Sequence, residues 1–128
     1  MEKKALNSEI KIEEINLKKE KLAEIDKAIK EAKEKIEFAE AIKELQQHPA
    51  FIKVIEEGYM EGEGKRISEC LLAPTLLRKD QIETMVEMMN GIRFLKTFIK
   101  YKFDDGIIAA GSIDELEALR IQVNSEEN

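Results

Sequence analysis

A chain of 128 residues, 38% charged and 5% aromatic with no Trp, is sized for one domain, and its bias toward Glu, Lys, Ile, Leu and Ala points to an all-α protein. The net charge of −6 is unevenly placed: residues 1–48 carry 11 basic and 12 acidic side chains, residues 49–103 carry 9 and 8, and residues 104–128 carry 1 and 7. A near-neutral body with an acidic end argues against nucleic acid as a partner, which needs a basic face.

Met1–Glu20 is charged throughout and lacks the apolar run of a secretory leader, and no segment reaches the roughly 18 apolar residues of a membrane span. The lone Cys70 rules out an intrachain disulfide and fits a reducing compartment. The expected location is a cytoplasm.

In chain order, residues 1–14 either extend the helix that follows or fray from it, with Asn7 or Ser8 as N-cap for a start near Glu9. From Ile15 to Leu45 apolar residues recur at spacings of three and four: Leu22, Ile25, Ile29, Ala32, Ile36, Ala39, then Ile42 and Leu45. Lys and Glu fill the gaps, with no Gly or Pro. This is a heptad seam on one long helix, roughly 46 Å over that stretch. So narrow a stripe must lie against something. The seam at Leu22, Ile25, Ile29 and Ile36 is the expected self-association surface, drawing a second copy and making a homo-oligomer. The later helices of the chain are the other available partner.

Pro49 ends that helix by pushing His48 out of the α region, and it suits the first position of a new one. Phe51, Val54, Ile55, Gly58, Tyr59, Gly62, Arg66, Ile67, Cys70 and Leu71 then lie along one helical face. Gly58, Gly62 and Gly64 weaken it by about 1 kcal/mol each against Ala. Either the segment stays helical, with Gly58 and Gly62 admitting a neighbouring helix, or it breaks within Glu61–Gly64.

A connection around Pro74 leads to Asp80, which with Glu83 forms a capping box. Ile82, Met85, Val86, Met89, Ile92, Leu95, Phe98, Ile99 and Phe103 make the most apolar helix, expected at the centre of the core. On that reading Phe98→Ala costs roughly 3–5 kcal/mol. Asp104-Asp105-Gly106 is expected to end the helix and Ile107–Gly111 to form a loop. Ser112 and Glu115 then cap a short acidic C-terminal helix carrying Ile113, Leu116, Leu119 and Ile121. Ile113, Leu116 and Leu119 are the expected partner-facing residues, and truncation after Phe103 should leave the remainder folded. The expected organisation is a long coiled-coil-like helix at 1–48, a helical core at 49–103 and an acidic appendage at 104–128.

No constellation for catalysis converges. Gly62-Glu63-Gly64-Lys65-Arg66 lacks the first Gly of a Walker loop, where Tyr59 stands, and has Arg66 in place of its Ser or Thr. One His and one Cys make no zinc site, and adjacent carboxylates such as Glu56-Glu57 and Asp104-Asp105 diverge by about 100° on a helix. Arg93, Lys96 and Lys100, interleaved with Phe94, Phe98 and Tyr101, resemble a nucleic-acid stripe. The aromatics are expected in the core instead, with the cations as a solvated rim. Met85, Met88 and Met89 read as core filler or as a pliable contact surface. No enzyme, cofactor or metal is expected.

The stretch Pro49-Ala50-Phe51 through Gly58-Tyr59 to Arg66, followed by Leu71-Leu72-Ala73-Pro74, resembles small helical proteins of unknown function encoded by tailed bacteriophages beside head and structural genes. The resemblance covers about residues 35–103 and brings no catalytic residue; the acidic segment after Asp104 departs from it. It implies a phage structural protein as partner and a place in the host cytoplasm or the virion. The expected function is that of a non-enzymatic assembly or virion component acting by helix–helix self-association. The alternative is a small acidic protein that docks on a host or DNA-handling partner and inhibits it.

Overall fold

The computed structural model describes residues 2–126, without the side chains of residues 2–4 and Pro74. The all-α class holds, and no strand occurs among the described residues. Helix α1 is Glu2–Gln47; a composite helix follows, made of α2 (Pro49–Phe51), a π-helical segment (Ile52–Glu63) and α3 (Gly64–Leu71); a 3-10 turn at Pro74–Leu76 leads to α4, Lys79–Ser125. The long N-terminal helix packs against the C-terminal one. Contacts group the chain into two compact units, Met1–Glu37 with Gly106–Asn128, and Phe38–Asp105.

The first unit is a two-helix seam. Ile25, Ala32, Ala109 and Val123 are buried in it, and Leu22, Ile29, Ile36, Ile113 and Leu116 are half-buried. The helices run antiparallel: Arg120 Nε donates to Asp26 Oδ1 at 2.7 Å, and Lys18 Nζ donates to the carbonyl oxygen of Asn124 at 3.1 Å. Positions on α4 follow the same alternation of three and four at Gly106, Ala109, Ile113, Leu116, Arg120 and Val123. Two heptad rows thus meet in one chain. The seam's apolar demand is met from within, which removes the reason to assign Leu22, Ile25, Ile29 and Ile36 to a second copy. Ile15 lies before the paired stretch and is exposed, as are Leu6, Ile10, Ile12 and Leu17.

The expected break at Asp104–Gly106 does not occur; α4 runs through it. A helix-ending glycine needs a positive φ, and no described glycine has one. Gly106 is instead buried in the seam. Ser112, expected as a cap, lies mid-helix and donates from Oγ to the carbonyl of Ala109 at 3.0 Å, the back-bonding a helical serine makes. The acidic segment is therefore half of a packed unit. At the other end of α4 the cap falls before Asp80: Gln81 Oε1 accepts from the backbone N–H of Arg78 at 2.9 Å.

In the second unit Ile67 is fully buried, with Ile92, Ala39 and Ile42 close to it in burial. Full burial of one isoleucine contributes roughly 1.5–3 kcal/mol. His48 is extended at φ −72° and ψ 127°, as its Pro49 neighbour requires, and its Nδ1 accepts from the Ala50 N–H at 3.1 Å. The composite helix does not break at its glycines.

It widens instead. Phe51-Ile52, Ile55-Glu56, Tyr59-Met60 and Glu63-Gly64 are half-buried pairs recurring every four residues, and a row at that spacing calls for more than 3.6 residues per turn. The π segment supplies the wider turn. Gly58 and Gly62 permit it. A Cβ on Gly62 would stand 3.0 Å from the carbonyl oxygen of Glu57, five residues back, and one on Gly58 would stand 3.2 Å from that of Lys53. Two other glycines face side chains of a neighbouring helix: a Cβ at Gly64 would make ordinary contact with Ile92 at 3.9 Å, and one at Gly91 would meet the Tyr59 hydroxyl at 3.3 Å.

Candidate interaction surface

Among the described residues the buried ones are Ile25, Ala32, Ala39, Ile42, Ile67, Ile92, Ala109 and Val123, together with Gly106. No aromatic is among them. The chain has only five Phe and two Tyr, so where they lie is informative.

Four of them share one side of the second unit. Phe94 is 63% exposed, Phe98 48% and Tyr101 64%, at the spacing of four and three that aligns side chains along one face of α4. Phe38 of α1 meets Phe98 edge to face, with centroids 6.2 Å apart and planes at 88°. Leu45, exposed and one heptad beyond Phe38, continues the same flank of α1. Two cations sit on the rings: Arg93 at 5.5 Å from the Phe94 centroid and the Lys102 ammonium at 5.9 Å from that of Phe38.

This overturns the expectation that Phe94, Phe98 and Tyr101 fill the core. The seam positions of α4 in this unit are Ile92, Leu95, Ile99 and Lys102, all buried or half-buried. A helical stripe can face the core from only one direction. The aromatics lie off that line.

On another face of α4 an open cleft of about 290 Å³ is lined by Gln46, Phe51, Glu56, Met60, Lys96, Ile99, Lys100 and Phe103. Arg93, Lys96 and Lys100 stand at the spacing of three and four that keeps them on one face of α4, with Lys96 and Lys100 lining the cleft and the Arg93 guanidinium reaching over the Phe94 ring. Phe51, Met60, Ile99 and Phe103 give the cleft apolar walls. It brings together no nucleophile with a base.

The remaining sequence candidates do not converge. Gly62–Arg66 is helical, and Arg66 donates two hydrogen bonds to Glu63 at 2.7 and 3.0 Å, which hold its guanidinium above its ordinary pKa. Cys70 is half-buried. Among the described residues no three of His, Cys, Asp and Glu gather as a metal group would require. Of the expected partner-facing residues, Ile113 and Leu116 are half-buried in the first unit and Leu119 is exposed. Met85 and Met89 are half-buried and Met88 is exposed. No described helix is long and apolar enough to cross a membrane.

The spacing of Phe94, Phe98 and Tyr101 is visible in the sequence. Phe38, which joins them from more than fifty residues away, carries no such signal. No protein-family profile, curated protein or solved structure matches the chain.

Proposed function

We propose that this chain is a non-enzymatic helical assembly protein that works by self-association, in the host cytoplasm or the virion of a tailed phage. The observation carrying the reading is the exposed aromatic face of Phe38, Phe94, Phe98 and Tyr101, none of which joins the buried residues. Contiguous apolar surface in water favours a partner, and aromatic anchors with Arg at their edge are the composition of protein contact sites. The phage setting rests on the sequence resemblance of residues 35–103. The alternative, an acidic inhibitor docking through its C-terminal segment, is weakened because Ile113 and Leu116 are already half-buried.

Sedimentation equilibrium at micromolar to millimolar concentration tests the reading. A species heavier than the 14.7 kDa chain is expected. A monomer throughout that range would overturn it.

A further inference from the structure

We propose that the cleft of the second unit is a binding site for a small amphiphilic anion, an alkyl carboxylate whose tail lies between Phe51, Met60, Ile99 and Phe103 and whose head meets Lys96 and Lys100. The inference stands apart from self-association, since the cleft and the exposed aromatic row lie on different faces of α4. Every lining residue belongs to the one unit Phe38–Asp105.

Helix α4 builds one wall. Ile99 and Phe103 stand four apart, and so do Lys96 and Lys100, each lysine three residues before one of the apolar pair. That spacing lays a cationic row alongside an apolar one on a single helical face. The other wall comes from the composite helix, and its π segment shapes it. Phe51 and Glu56, five residues apart, would diverge by about 140° on an α-helix. The wider turn, bonded from i to i+5, brings both side chains round to the same wall together with Met60. Such π turns are rare in helices and concentrate at functional sites.

Charge selects the ligand. Two lysines and one carboxylate, Glu56, line the cleft. Among the described residues the side chains of Lys96, Lys100 and Glu56 make no hydrogen bond or ion pair. Asp104, one turn beyond Lys100, lies outside the lining and forms no ion pair with it. Both ammonium groups are left for an outside anion, and the surplus of one positive charge matches a monoanion. The cleft's volume of about 290 Å³ stands at the lower limit of ligand clefts, roughly 300–1,000 Å³. It admits a chain of several carbons and not a helix.

Isothermal titration calorimetry with decanoate below its micelle-forming concentration tests the site, with circular dichroism melts checking that each variant folds. The unaltered chain should bind decanoate and bind decyltrimethylammonium, the same tail with a cationic head, at least tenfold more weakly. Lys96→Glu/Lys100→Glu, at two exposed positions, should reverse that preference. A single charge-assisted hydrogen bond carries about a tenfold factor. Phe103→Gln should weaken both ligands, whereas Phe94→Gln on the aromatic face should change neither.

No binding of decanoate would overturn the site and leave self-association standing. Equal binding of the two ligands by the unaltered chain would overturn the anion preference. Decanoate binding that survives in the folded lysine and Phe103 variants, or is lost in Phe94→Gln, would place the ligand elsewhere and overturn the assignment. Binding to phosphatidylglycerol vesicles without binding of monomeric decanoate would assign the lysines to a membrane surface and overturn it as well.

Discussion

The two units bury helices by different means. The first closes a narrow seam with small and β-branched residues, Ile25 and Ala32 on α1 and Gly106, Ala109 and Val123 on α4, and leaves no large ring beside it. The second brings a third helical segment against α1 and α4, and the fit requires a π-helical stretch. It seals Ile67 completely yet leaves five aromatics exposed, Phe38, Phe94, Phe98, Tyr101 and Phe103. Small residues let two helices approach closely enough to need no other cover. Bulky ones on the flank of a seam cannot enter it and become surface. Stability and interaction are thus separated by side-chain size as much as by polarity.

The largest expected effect comes from removing half of the first unit. Truncation after Phe103 takes away Gly106, Ala109 and Val123 and exposes Ile25 and Ala32. Helicity should fall by more than the deleted residues account for, because a narrow apolar stripe on α1 without its partner does not hold a helix firmly in water. Far-UV circular dichroism measures this. An unchanged melt of the remainder would show that the C-terminal segment is an appendage after all.

Next in size is the contrast between Ile67 and Phe98. Ile67→Ala should cost about 2–5 kcal/mol, the range for emptying a closed site. Phe98→Ala should lose little beyond its edge-to-face contact with Phe38, about 0.5–1.5 kcal/mol. Urea titrations giving equal losses would erase the distinction between core and surface in the second unit.

Two glycines sharpen the comparison further. A methyl added at Gly111 would have no neighbour within 4 Å, so Gly111→Ala should stabilise by up to about 1 kcal/mol through helix propensity. Gly62→Ala gains the same propensity but sets a methyl against the Glu57 carbonyl, and its melting temperature should drop. If both variants melt higher, the π segment has no need of its glycine.

The smallest effect belongs to Asp26 and Arg120. Both are about half exposed, so a double-mutant cycle should return about 0.2–1 kcal/mol, reduced by salt. A coupling that salt leaves unchanged would mean the pair is shielded from solvent.

The heptad from Leu22 to Ala39, the stop at His48-Pro49 and the helical class were legible from residues alone, because each depends on local geometry: a 3.6-residue period, a locked proline φ and the absence of breakers. What filled the seam was not. The row Gly106, Ala109, Ile113, Leu116 and Val123 has the matching period, but Asp104-Asp105-Gly106 carries a strong local signal for a helix end. Packing overrode it: a buried glycine costs helix propensity of about 1 kcal/mol, and contact with α1 offsets that. The widened turn at Ile52–Glu63 and the union of Phe38 with Phe94, Phe98 and Tyr101 also required the tertiary structure. Period and punctuation are properties of a single helix, whereas the choice of which face is covered belongs to the pair.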